Sequence, residues 1–256
     1  MEIIINGQKI YYEQAGRGAP LVLLHGWGTD SRSFAGIIPA LANDFSVYVL
    51  DFPGFGNSPP PTKAWSVHDY ADMVREFLSE LLIERPIIIG HSFGGRIGIC
   101  LGAQDIPRKM ILTGSAGIVP KRKPMYYIRV YSYKAAKALF SLPLLRRWRE
   151  AALALWQKRT ASSDYKNAQG VMRETFVKVV NKDLQYLMPE IKCPTLLLWG
   201  ELDTETPLTY GQKMEKMIGG SGLAVIRGAG HYAFLDAPSQ FLRITDSFLT
   251  TEKTTK

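Results

Sequence analysis

Apolar residues fall along this chain in two rhythms: short, nearly unbroken runs of five or six, and longer stretches in which they recur every three or four positions. The runs occupy 20–24, 45–50, 86–90, 109–113, 194–199 and 222–226, and most are separated by helical patterns. A strand covered on both faces need not alternate. Such runs therefore predict an α/β fold, a mostly parallel sheet with helices on both faces. The opening differs, because Ile3-Ile4-Ile5 and Ile10-Tyr11-Tyr12 flank Asn6-Gly7, the pattern of an antiparallel N-terminal hairpin. From about 117 to 188 no strand pattern interrupts several helical segments. This interval predicts a helical cap, 117–188, inserted before the 194–199 strand into a core made of 1–116 and 189–256.

Composition narrows the picture. The chain has 256 residues and 46% hydrophobic content, enough for one well-buried core. Cys100 lies in an apolar helical stretch and Cys193 just before a strand, where buried free thiols are common. Met1-Glu2-Ile3-Ile4-Ile5 is not a basic-then-apolar leader, and no apolar run approaches a membrane span, so the expected compartment is a reducing cytoplasm. No histidine pair sits at i, i+4 and neither cysteine has a ligand neighbour, so no metal is expected, and without a phosphate-cradling glycine loop no cofactor is expected either.

The net charge of +8 concentrates in the interval 121–159, where Lys121, Arg122, Lys123, Arg129, Lys134, Lys137, Arg146, Arg147, Arg149, Lys158 and Arg159 face the single acid Glu150. Tyr126, Tyr127, Tyr131 and Tyr133 interleave with these charges, as on an amphipathic helix whose apolar side roofs a pocket. Such a face suits an anionic substrate, an acidic carrier protein or peripheral contact with an anionic membrane, and an ordinary solvated surface has the same composition. No nucleic-acid motif surrounds the basic residues, so nucleic acid is not an expected partner, and the oligomeric state is not legible.

Chemistry enters at Gly90-His91-Ser92-Phe93-Gly94, directly after the run Pro86-Ile87-Ile88-Ile89. A strand that turns abruptly into a helix forces its corner residue into a strained backbone and lifts a serine hydroxyl clear of the sheet. Such a serine needs a base to take its proton and a third group to orient the base. Of the four histidines, His25 and His91 end apolar runs and His68 falls at a helix start. His231, in Gly228-Ala229-Gly230-His231 after the 222–226 run, is left as the candidate base. The loop after 194–199 reads Gly200-Glu201-Leu202-Asp203-Thr204-Glu205-Thr206-Pro207 and supplies the acid. Asp203 is the choice, with Glu201 and Glu205 open as substitutes. An oxyanion formed by attack on a carbonyl needs two N–H donors. Phe93, at a helix N-terminus, offers one, and Trp27 in His25-Gly26-Trp27-Gly28 the other.

Five ordered blocks now stand together: His25 to Gly28, Asp51-Phe52-Pro53-Gly54-Phe55-Gly56-Asn57-Ser58, the serine corner, Trp199 to Asp203, and Gly230-His231. Over essentially its whole length the chain resembles the α/β-hydrolase fold superfamily, in which a triad runs in the order Ser, Asp, His, here Ser92, Asp203 and His231. Within it the chain is similar to small carboxylesterases, including those cutting methyl esters of carrier-bound acyl chains, and to carbon–carbon bond hydrolases. It departs from dehalogenases and most epoxide hydrolases, which carry a carboxylate where Ser92 stands, and from lipases with a multiple-glycine oxyanion loop, which Trp27 interrupts. The resemblance implies a cofactor-independent serine hydrolase acting on an ester or thioester through an acyl-enzyme. A carbon–carbon hydrolase with the same triad and a ligand-binding, receptor-like member of the fold are the alternatives. Substrate contacts are expected from Trp27, Phe93 and Tyr232, with Phe52 and Phe55 also lining the pocket. Asp51 is expected to tie its own turn together by accepting backbone hydrogen bonds.

Overall fold

The computed structural model describes residues 1–119 and 163–252, together with Tyr131, Ser132, Ala135, Ala138 and Leu139. Its strands are β1 (Glu2–Ile5), β2 (Gln8–Ala15), β3 (Ala19–Leu24), β4 (Phe45–Leu50), β5 (Ile87–His91), β6 (Lys109–Thr113), β7 (Thr195–Gly200) and β8 (Gly222–Ile226). They form one sheet in the order β1-β2-β4-β3-β5-β6-β7-β8. The β1–β2 and β2–β4 pairings are antiparallel and the remainder parallel. Asn6 (φ 48°) and Gly7 (φ 79°) both take the left-handed conformation that a tight hairpin requires. β5 and β7 each run one residue beyond the apolar runs that predict them, because His91 still pairs with Thr113 and Gly200 with Ile226.

The unbroken apolar runs have a direct physical meaning here. Leu21, Leu23, Ile87, Ile89, Leu196 and Leu198 are buried on one face of the sheet, while Val22, Leu24, Ile88, Leu197 and Trp199 are buried on the other. Helices α2 (Val67–Glu80) and α3 (Phe93–Ala103) cover the second face. α1 (Ile38–Leu41) covers the first through Leu41, and the C-terminal helix of the described chain, Pro238–Leu249, does so through Phe241 and Leu249. In α2, Tyr70, Met73, Val74 and Phe77 recur at helical spacing and are buried, and Ser66 caps the helix reciprocally with Asp69.

Between 117 and 188 the described residues form α4 (Ser163–Asn167), α5 (Gly170–Val180) and a 3-10 turn over Gln185–Glu190. α5 is fastened to the core where Thr175 Oγ1 accepts from Trp65 N at 3.1 Å and Lys178 Nζ donates to Ala64 O at 2.7 Å. The basic residues of 121–159, with Tyr126, Tyr127 and Tyr133, lie outside the described residues, and Tyr131 is exposed. The chain continues with α6 (Leu208–Met217), α7 (Ala233–Asp236) and α8 (Pro238–Leu249). Because β3, β5, β6, β7 and β8 are parallel, the loops leaving them gather at one edge of the sheet, the usual place for a site in such folds.

Candidate active site

Ser92 occupies the corner between β5 and α3 with φ 50° and ψ −106°, a backbone conformation that L-residues rarely adopt. The surroundings hold it there. Ser92 N donates to Thr113 O at 3.1 Å, and Ser92 O accepts from Ala116 N at 3.1 Å. Gly94 N donates to His25 O at 3.0 Å, and a Cβ at Gly94 would run into the Leu24 carbonyl, so α3 crosses β3 at backbone contact. One side chain there would push the helix, and the serine with it, off the sheet.

Ser92 opens into a cavity of about 430 Å³ that it shares with Trp27, Phe93, His231 and Tyr232. His231 Nδ1 lies 2.9 Å from Asp203 Oδ2, with the carboxylate buried and the imidazole 13% exposed. A carboxylate can only accept, so Nδ1 carries the proton and Nε2 is left with a lone pair. Asp203 Oδ1 accepts from Glu205 N and Thr206 N, both at 2.9 Å, and Thr206 Oγ1 lies 2.8 Å from Oδ2 and 2.9 Å from Gly114 O. Burial alone would raise the pKa of Asp203. The hydrogen bonds from His231 and Thr206 outweigh it and hold the carboxyl below its ordinary value, hence ionised. The imidazole thus meets Asp203 rather than Glu201, which accepts from Gly228 N at 3.1 Å, or Glu205, which lines the cavity.

The other histidines have different work. His25 Nδ1 donates to Gly26 O at 2.8 Å and its Nε2 accepts from Phe52 N at 3.0 Å, which anchors the loop carrying Trp27. Burial lowers its pKa to about 4. His68, at the start of α2, meets Cys100 of α3 and Tyr186. Asp51 accepts from Ser31 N and Asn57 N, each at 2.8 Å, which is the tied turn its sequence context implied.

The N–H groups of Trp27 and Phe93 have no protein acceptor among the described residues. Their rings pack edge to face with centroids 5.4 Å apart, and the bond from Gly94 N to His25 O joins the two backbone segments. Phe52 corrects an expectation: it is fully buried against His25 and Phe93 and belongs to the core rather than the pocket wall. Phe55 lines a second cavity of about 430 Å³, which meets the first at Trp27, Asp164 and Tyr232. Arg96, Asp164, Phe176, Val179 and Thr206 also line the first cavity and were not singled out from sequence. Arg96 carries a signal in its spacing, four residues after Ser92 and therefore on the same helical face. Asp164 and Phe176 carry none, since only the approach of α4 and α5 brings them there. No group of three or more His, Cys, Asp or Glu among the described residues is arranged to hold a metal ion.

A sequence profile of the alpha/beta hydrolase fold matches residues 19–238. The chain belongs to that family. A pimeloyl-[acyl-carrier protein] methyl ester esterase of Aeromonas hydrophila is 26% identical, over 94% of this chain and 99% of the relative. The 2-hydroxy-6-oxo-6-(2'-aminophenyl)hexa-2,4-dienoic acid hydrolase of Metapseudomonas resinovorans is 24% identical, over 95% of this chain and 88% of the relative. Among solved structures, Est816, described as an N-acyl homoserine lactone degrading enzyme, superposes with a TM-score of 0.76 at 25% identity, covering 97% of this chain and 100% of that one. This alpha/beta hydrolase therefore has both esterases and a carbon–carbon hydrolase among its relatives. No helix among its described residues is long and apolar enough to cross a membrane.

Proposed function

We propose that this alpha/beta hydrolase cleaves a carboxylic ester or thioester through an acyl-enzyme on Ser92. The observation that carries the reading is the 2.9 Å contact between His231 Nδ1 and an ionised, buried Asp203, in a cavity that also holds the strained Ser92. In this reading Ser92 Oγ attacks the carbonyl carbon as its proton passes to His231 Nε2, and Asp203 stabilises the imidazolium. The N–H groups of Trp27 and Phe93 receive the oxyanion. The carbonyl re-forms, the bond to the leaving group breaks, and His231 returns the proton to it. Water then repeats the sequence on the acyl-serine and releases the acid.

Asp164 and Glu205 favour an ester over carbon–carbon cleavage of a dienoic acid. Both line the cavity that holds His231, and two carboxylates there repel an acidic leaving group. The segment 117–188 serves in this reading as the cap that shapes the pocket. A carrier-bound acyl chain or a small free ester both fit the proposal.

Ser92→Ala tests it. Turnover of p-nitrophenyl butyrate should fall to at most a residual of roughly 10³-fold over water, and a fluorophosphonate should label the wild type at Ser92 only. Unchanged turnover in the variant sinks the proposal. Saturable binding of an acyl ester without labelling or turnover would move the chain to the receptor-like reading.

A further inference from the structure

Arg96 is 5% exposed, stands one helical turn after Ser92, and lines the same cavity. A guanidinium has five N–H donors. On Arg96 one of them, at Nη1, donates to Lys182 O at 2.6 Å, and no other hydrogen bond or ion pair engages the group among the described residues. Arg96 is one of the residues that line the cavity, which puts its remaining donors within reach of a bound group. Asp183 is the carboxylate whose charge acts on Arg96, but it makes no ion pair with it and is occupied by Val119 N at 3.2 Å and Gln185 N at 2.9 Å. Burial lowers the pKa of Arg96 to about 10, which leaves it charged at neutral pH. A desolvated cation with free donors at the wall of a pocket is best satisfied by an anion.

Asp164, Glu205 and His231 line this cavity together with Arg96. Protonation by His231 puts the leaving group beside the imidazole, so the acyl chain runs away from it. Ala116, Phe176, Val179 and Val180 line the same cavity and offer an apolar path for methylenes.

We propose that Arg96 is a specificity-determining residue that receives a free carboxylate at the far end of the substrate's acyl chain, so that the preferred substrates are half-esters of dicarboxylic acids. This rests on the acyl-enzyme reading above. The alternative is purely structural, with Arg96 clamping the Lys182 carbonyl.

The test compares mono-p-nitrophenyl adipate with p-nitrophenyl hexanoate, whose acyl chain has the same length without the charge, in wild type, Arg96→Gln, Arg96→Lys and Ser92→Ala. Wild type should favour the half-ester by at least about tenfold in kcat/KM. Arg96→Gln should lower that value for the half-ester by about 10- to 100-fold, mostly through KM, and leave the hexanoate within about threefold. Arg96→Lys should recover part of the loss. Equal losses on both esters, or a wild type indifferent to the carboxylate, overturn the assignment. Should Arg96→Gln not fold, the wild-type ratio and Arg96→Lys decide alone. Ester turnover that survives in Ser92→Ala overturns the serine reading instead, a result independent of Arg96.

Discussion

The last residue of β5 and the loop after β8 each present a histidine, and the two rings stand 4.8 Å apart, yet their environments differ. His91 is buried without a carboxylate partner, its Nε2 donating to the His231 carbonyl at 3.1 Å and its Nδ1 without a hydrogen bond. Burial, with the charge of His231 as the second cause, lowers its pKa to about 3 and keeps it neutral. His231 is partly open to the cavity and backed by an ionised carboxylate that fixes its tautomer. In the proposed mechanism only the histidine that meets a carboxylate can serve as the base.

The sharpest way to break this comparison is Asp203→Asn. The amide can donate where the carboxylate only accepted, so it removes the reason for Nδ1 to hold the proton. We expect kcat to drop by about 10³- to 10⁴-fold with little change in KM, measured on p-nitrophenyl butyrate. A loss under tenfold would show that Asp203 does not orient His231.

The two buried histidines set the next effect. His25 and His91 have folded-state pKa values lowered from 6.5 to about 4 and about 3, so below pH 6.5 the unfolded chain binds more protons than the folded one. Stability is full above that pH and falls as pH drops toward 4, by about 3 kcal/mol per histidine. Urea unfolding between pH 7 and 4 would read this, and His91→Gln should flatten the curve while keeping kcat within tenfold of wild type. A variant with unchanged pH dependence would mean that His91 is protonated in the fold.

The smallest effect belongs to Thr206→Val. Its hydroxyl is shared between Asp203 Oδ2 and Gly114 O, while Asp203 keeps the Glu205 and Thr206 N–H donors. We expect about 1 kcal/mol, seen as a several-fold fall in kcat and an upward shift of the acidic limb of the pH–rate profile. An unaltered profile would remove Thr206 from the support of Asp203.

Much of this architecture could be read from residue order. The β6 and β8 runs coincide with their strands, and Asn6-Gly7 forms the hairpin turn, because these depend on backbone preferences and on burial of both sheet faces. Ser92 was legible because a glycine-flanked strand end has few other uses. Asp203, Glu201 and Glu205 share one loop and one chemistry, so only their positions separate them. The wall made by Arg96, Asp164 and Phe176 was not singled out, since it arises where α3, α4 and α5 meet.

By itself the sequence determined the sheet, the serine corner and the order of the candidate triad residues, since these follow from local periodicity and from the few side chains able to do such chemistry. Tertiary structure alone decided which carboxylate backs His231, that Phe52 belongs to the core, and that a buried arginine and two acids line one cavity. The reason is physical: a hydrogen bond or a desolvated charge depends on ångström-scale distances between segments far apart in the chain, and residue order does not encode those distances directly.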